Sequence, residues 1–243
     1  MIKRRLLKIL TAVLAVVTVQ SAFSMTVSAE EEPMPVWEEK EDHHNKHSIE
    51  KYESLIKYEA EKLEIELEGK ELDDLAKEVF ETKLRNKARE MGLDPEGNDI
   101  EELKQQVHHA KVVEKANELG IKSSGKTPEA LAGEVHEVMV RNKADELGID
   151  TSGKDFETIK REVSALLITY EAKSMGIDVG DKDPDILKQE IRDRKIAQTA
   201  EELGINTDRL DAEQQLDEIL KHHAVEAKEK GLYPFDDKNG KFH

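Results

Sequence analysis

The chain has 243 residues, of which 37 are Lys or Arg and 54 are Asp or Glu, so its formal charge is −17. Charged residues make up 37% of the chain and aromatic residues only 4%, a composition that favours helices over sheets. There is no cysteine, which excludes disulfides, thiol catalysis, zinc–thiolate sites and a lipid-modified cysteine anchor.

The N-terminal segment, 1–29, has the pattern of a secretory signal peptide. A basic segment, Met1–Lys8, precedes the apolar run Ile9–Val19 and the small-residue sequence Val27–Ala29, which predicts cleavage after Ala29. An uncleaved membrane anchor is the alternative, but the apolar run is shorter than the ~20 residues that a spanning helix needs. We therefore expect a protein exported from a bacterial cell, with a mature chain that has no membrane span. Because the removed segment holds four bases and no acid, the mature charge is −21.

An acidic segment, 30–47, follows the predicted signal peptide. It holds seven acidic and two basic residues, two prolines and three histidines. Such a segment buries too little apolar surface to offset its ordering entropy, so we expect a disordered tail. Because imidazole is a common ligand of transition metals, His43, His44 and His47 are candidate metal ligands, although a solvated tail is the simpler interpretation.

The rest of the chain, 48–232, is organised by a repeat with a period of about 28 residues, and 233–243 form a C-terminal tail. A glycine marks the repeat at Gly92, Gly120, Gly148, Gly176, Gly204 and Gly231. The first five glycines are evenly spaced and the last interval is shorter by one position, while an earlier degenerate copy has Glu64 in place of the glycine. A fixed period of this length is typical of helical repeat arrays.

Each repeat is predicted to contain one long helix and one short extended loop. The residues that precede the helices are Glu71, Asp99, Thr127, Asp155, Asp183 and Asp211. All but the first are good N-caps, because their side-chain oxygens accept hydrogen bonds from otherwise unpaired amides. The recurring glycine adopts the left-handed conformation that ends a helix. The predicted helices are 72–91, 100–119, 128–147, 156–175, 184–203 and 212–230, preceded by a first helix at 48–63.

The apolar residues of each helix form two half-stripes on opposite sides. In the predicted helix 128–147, Leu131 and Val135 belong to the first half, and Val140 and Ala144 to the second. Nine steps of ~100° separate Leu131 from Val140, which is half a turn more than two full turns. Each helix should therefore pack its first half on the preceding helix and its second half on the following one. This predicts an all-α fold, an elongated array of overlapping helix–loop–helix units, with a loop isoleucine at each junction: Ile121, Ile149, Ile177 and Ile205.

The loops resemble those of helix–extended-loop–helix modules such as SAP and LEM domains. The resemblance rests on Leu119–Lys126 followed by Leu131, and on Leu147–Lys154 followed by Ile159. It covers the larger part of each unit and implies two helices joined by an extended loop. Some members of these families bind nucleic acid, but this chain is exported and acidic, and most of its units carry more acidic than basic residues. We therefore predict that it does not bind DNA or RNA.

Few residues indicate a catalytic activity or a ligand-binding site. The chain has no zinc-protease helix, phosphate loop, nucleophile elbow or dinucleotide fingerprint. The histidine pairs His108/His109 and His222/His223 are adjacent on predicted helices, where their side chains point ~100° apart, so we interpret them as solvated polar positions. A lysine recurs after the loop glycine, and we expect it to balance nearby acidic groups and the end of the preceding helix. These lysines are Lys70, Lys126, Lys154 and Lys182.

Acidic residues in the loops raise the alternative of calcium binding, because hard cations prefer oxygen ligands. The candidates are Asp94, Asp150, Asp178 and Asp181, together with the segment Asp236–Gly240. None of them has the spacing of a helix–loop–helix calcium site.

The sequence thus identifies no catalytic residue and no cofactor-binding residue, and it leaves any metal ligands unassigned. It predicts a non-enzymatic exported protein with no cofactor, a binding or spacer protein of the bacterial cell surface or medium. The partner would be a protein or a component of the cell envelope. The alternative is an extracellular protein that binds calcium or transition-metal cations.

Overall fold

The computed structural model describes residues 49–97 and 99–236, and in this part of the chain all regular secondary structure is helical. The helices are α1 (Glu53–Lys62), α2 (Leu72–Glu90), α3 (Ile100–Glu118), α4 (Pro128–Glu146), α5 (Phe156–Ser174), α6 (Pro184–Glu202), α7 (Ala212–His222) and α8 (Ala224–Glu229). Consecutive helices pack against each other along the chain. The predicted all-α array of helix–loop units is confirmed. The predicted signal peptide and histidine-bearing tail lie outside the described residues.

The predicted starts of α2 to α7 are confirmed, and side-chain hydrogen bonds explain those of α3 to α7. The Thr127 hydroxyl accepts a hydrogen bond from the Ala130 amide at 3.3 Å, and the Asp155 carboxylate accepts one from the Thr158 amide at 2.8 Å. Asp211 forms a complete capping box with Gln214. Asp99 and Asp183 also accept amide hydrogens with their side chains, whereas Glu71 makes no side-chain cap. All five predicted N-caps therefore act as predicted.

The recurring glycine ends six of the described helices in a Schellman motif. At the end of α3, Gly120 has φ of 71°, its amide donates to the Asn117 carbonyl at 3.1 Å, and the Ile121 amide donates to the Ala116 carbonyl at 2.8 Å. Both bonds use carbonyls that the helix leaves unpaired. In the second of these bonds, the repeated alanine supplies the carbonyl and the repeated loop isoleucine supplies the amide. The same pair of bonds recurs after α2, α4, α5, α6 and α8.

The two half-stripes pack on opposite neighbours, as the sequence predicts. In α4, Leu131 and Val135 lie in one buried cluster with Ala116 of α3. Val140 and Ala144 of the same helix lie in a different cluster with residues of α5. Six such clusters occur along the described chain, one at each junction between consecutive helices from α1 to α7. The loop isoleucines pack at these junctions, as expected.

The two ends of the array depart from the predicted helices. The predicted first helix, 48–63, is interrupted at Lys51 and Tyr52, although Ile49 and Glu50 before them are helical. Tyr52 has a non-helical backbone, and its amide donates to the Ile49 carbonyl in a turn, so α1 begins at Glu53. The last predicted helix, 212–230, is broken at His223, where φ is −129°. The broken helix belongs to the repeat that is one residue shorter than the others.

Candidate functional site at the closure of the array

The two ends of the array contact each other. Helix α1 touches both α7 and α8, although most of the described chain separates them in sequence. Lys51 Nζ lies 2.6 Å from Asp217 Oδ1, and the Tyr58 hydroxyl donates to Glu229 Oε1 at 2.7 Å. Lys228 donates to the carboxylate of Glu59. We call this set of contacts the closure.

Glu59 is the centre of the closure. Its side chain is only 2% exposed, and its carboxylate is shared by two lysines from two other helices. Lys83 of α2 lies 2.6 Å away, and Lys228 of α8 binds the other oxygen. A carboxylate buried to this extent is tolerated only when cations neutralise it. The position of Glu59 therefore depends on α2 and α8 together.

A second pair repeats the geometry of Glu59 and Lys83 four repeats later. Glu171 of α5 has the same position in its repeat as Glu59, and Lys195 of α6 has the same position as Lys83. Lys195 Nζ lies 2.9 Å from Glu171 Oε1 and 3.5 Å from Asp236 Oδ2. We call residues 224–236 the C-terminal segment. This segment adds the cation of Lys228 to the Glu59–Lys83 pair and the anion of Asp236 to the Glu171–Lys195 pair.

Burial and neighbouring charges change the pKa of one residue at the second pair, Lys195, and of one residue beside the closure, Tyr52. Burial opposes the charge of Lys195, but its hydrogen bond to Glu171 and the charge of Asp236 outweigh this effect, so the pKa of Lys195 is raised. Burial, with smaller contributions from Tyr233 and the charge of Asp217, raises the pKa of the Tyr52 hydroxyl. Tyr52 therefore stays neutral between the two ends of the array, and Lys195 stays charged.

Sequence reasoning did not identify the closure, although one departure from the repeat was a signal. The residue before the repeated buried alanine is a lysine in three repeats, at Lys87, Lys115 and Lys143. It is an acid in Glu59 and Glu171, each of which pairs with a lysine of the following helix, and in Glu226 of the last, shorter repeat. The acid in place of the recurring lysine therefore distinguishes Glu59 from the equivalent positions of other repeats. It does not indicate which distant segment contacts Glu59.

The recurring loop lysines bind acidic residues of the following helix, which confirms the predicted balance of nearby acidic groups. Lys154 Nζ lies 2.6 Å from Glu162, and Lys182 Nζ lies 2.7 Å from Glu190. Lys70 and Lys126 make the same contact with the glutamate at the equivalent position of the next helix. All four pairs are partly exposed, so each contributes at most about 1 kcal/mol. These lysines tie each loop to the helix that follows it.

The candidate cation ligands do not form a metal site within the described residues, where no group of three or more His, Asp or Glu side chains converges. The Ser152 amide donates to Asp150 at 2.9 Å, and this bond lowers the pKa of the Asp150 carboxylate. His108 and His222 are exposed, but His109 has a buried Nδ1 and is not the fully solvated position that we expected. His43, His44, His47 and most of Asp236–Gly240 lie outside the described chain.

Two further surfaces carry charged side chains. A shallow cleft of about 300 Å³ is lined by Ile49, Glu50 and Glu71–Asp74, whose carboxylates give it a negative charge. In the loop that most resembles nucleic-acid-binding modules, Lys126 is already bound to Glu134. Of the helices that the structure describes, none combines the length and apolar character required to cross a membrane.

Comparison of the chain with models of known protein families, with curated proteins and with solved structures finds no match. The resemblance to SAP and LEM modules therefore stays a prediction from the loop sequences.

Proposed function

We propose that this protein is exported and acts as a non-enzymatic binding protein at the bacterial cell surface or in the medium. The supporting observation is the contrast between its constant and its variable positions. Residues that recur along the array hold the helices and loops together, such as the buried alanine at Ala144 and the loop lysine that four repeats share at Lys154. The scaffold is thus constant while other positions are available for recognition.

Exposed helix positions vary from one repeat to the next. One such position holds Gln105, Gly133, Arg161 and Gln189 in α3 to α6, and another holds Glu114, Asn142, Tyr170 and Gln198. Tyr170 is 50% exposed, and tyrosine is enriched at protein interfaces because its ring supplies contact area and its hydroxyl a hydrogen bond. Arrays of this kind recognise partners through surfaces built by successive repeats.

The closure supports a binding role over a spacer role. A spacer holds its two ends apart, whereas α1 and α8 are in contact here. The expected partner is a protein or an envelope component, and the excess of acidic residues favours a partner with basic groups.

Affinity capture from envelope and medium fractions tests the proposal. The bait is the chain from residue 30 onward, compared with the variants Tyr170→Gln and Gln198→Ala. Tyr170→Gln gives α5 the residue that α6 has at the same position, so folding should be unaffected. We expect one captured component whose yield falls at least about tenfold with Tyr170→Gln and is unchanged with Gln198→Ala. Equal capture by all three baits, or none, would count against the proposal.

A further inference from the structure

We propose that the closure is a releasable clamp, in which breaking the contact between Glu59 and Lys228 separates α1 from α8 while the six helix junctions stay intact. The array would then exist in a closed and an open form. Two kinds of contact hold the molecule together, and only one of them breaks in this transition.

The closure differs from the junctions in its larger share of polar and ionic contacts. Each junction has its own buried apolar cluster, and none of the six clusters in the described chain contains residues from both α1 and the C-terminal segment. Leu55 of α1, Leu220 of α7 and Ala224 of α8 are buried outside these clusters, so the closure adds a smaller apolar contribution to its ionic contacts. The bonds across the closure are polar: Lys51 with Asp217, Tyr58 with Glu229, and Lys228 with Glu59. Apolar faces lose their stabilisation in water, whereas charged groups that separate are solvated by it.

Release does not isolate a buried charge. When Lys228 separates from Glu59, Glu59 keeps its contact with Lys83 on α2, and the ammonium group of Lys228 becomes solvated. The open form therefore lacks the large penalty of an unpaired buried carboxylate.

The C-terminal segment stays in place on the other side of the opening. Ala227, Leu232, Tyr233 and Phe235 pack on a cluster with α6, and Asp236 contacts Lys195. The separation would thus occur between α1 and α8, because α8 remains fixed to α6 and α7.

A distance measurement tests the proposal, and the absence of cysteine from the chain makes it simple. Spin labels on Glu61→Cys and Lys230→Cys, two exposed positions on the two sides of the closure, report the separation by pulsed electron paramagnetic resonance. In the otherwise unchanged protein, we expect one short distance. Lys228→Met keeps most of the apolar stem and leaves Glu59 with Lys83. We expect this variant to raise the ratio of open to closed molecules at least about tenfold.

Glu171→Gln is the matched control, because Glu171 has the repeat position and lysine partner of Glu59 but lies on α5, away from α1. We expect it to leave the short distance unchanged. Glu59→Gln should open the array as Lys228→Met does, and circular dichroism must show helicity within about 10% of the parent. A single short distance in the folded Lys228→Met variant would overturn the proposal, and so would equal opening by Glu171→Gln.

Discussion

The helix junctions and the closure stabilise one molecule in two different ways. At a junction such as α4–α5, Val140 and Ala144 pack on Ile159 and the neighbouring loop, and the contact is apolar. At the closure, the buried carboxylate of Glu59 meets Lys83 and Lys228. An apolar contact depends on area removed from water, and an ionic contact depends on partners and their geometry. Four predictions test these apolar and ionic contributions.

The largest expected effect is at the junctions. Val135→Asp and Ala144→Asp each place a carboxylate without a cation in a buried cluster, which should lower the free energy of unfolding by at least about 3 kcal/mol. Hydrogen exchange should show that Val135→Asp loosens the α3–α4 junction and Ala144→Asp the α4–α5 junction. Asn142→Asp, on the exposed side of α4, is the control and should change little. If both buried variants loosened the same junction, packing on opposite faces would be refuted.

The second prediction concerns the degenerate first repeat. Glu64 has φ of 58°, the left-handed conformation that glycine adopts in the other repeats. Glu64→Gly should raise the free energy of unfolding by about 0.5–1 kcal/mol, because it relieves the steric cost of a side chain at this conformation. Gly148→Ala, the reverse change at φ of 70°, should lower it by a similar amount. Chemical denaturation measures both, and a destabilised Glu64→Gly protein would contradict this explanation.

The third prediction uses salt to distinguish the closure from the junctions. Raising NaCl from about 0.1 to 1 M should weaken the half-exposed Lys51–Asp217 pair by up to about 1 kcal/mol. Amide exchange in α3–α5 should not increase, since salt does not weaken apolar burial. Exchange at the closure should rise. Equal changes in both regions would show that the closure is not distinctly ionic.

The smallest effect is expected at high pH, at Lys195. Its pKa is raised in the folded protein from an ordinary value of 10.5. A raised pKa means that its contribution to stability is complete below pH 10.5 and is lost as the pH rises through the folded value. The contacts of Lys195 with Glu171 and Asp236 should then weaken. Lys195→Arg, which stays charged in this range, should retain more stability above pH 10.5 in thermal unfolding experiments.

Local sequence determined the repeating part of this protein. The starts of α3 to α7 follow from the capping residues before them, and the ends of the regular helices follow from the glycine and the amide after it. The half-stripes of α4 predicted which residues face α3 and which face α5. These features were predictable because each depends on residues close in the chain and recurs at a fixed period.

Only the tertiary structure decided the closure. Glu59 and Lys228 lie near opposite ends of the described chain, and neither belongs to a pattern that recurs in every repeat. The pairing depends on small rotations between successive helices, which add up along the array until α1 meets α8. It also depends on the break at His223, which interrupts an otherwise regular helix. Local pattern specifies each junction, but the accumulated geometry of all the junctions determines whether the two ends meet.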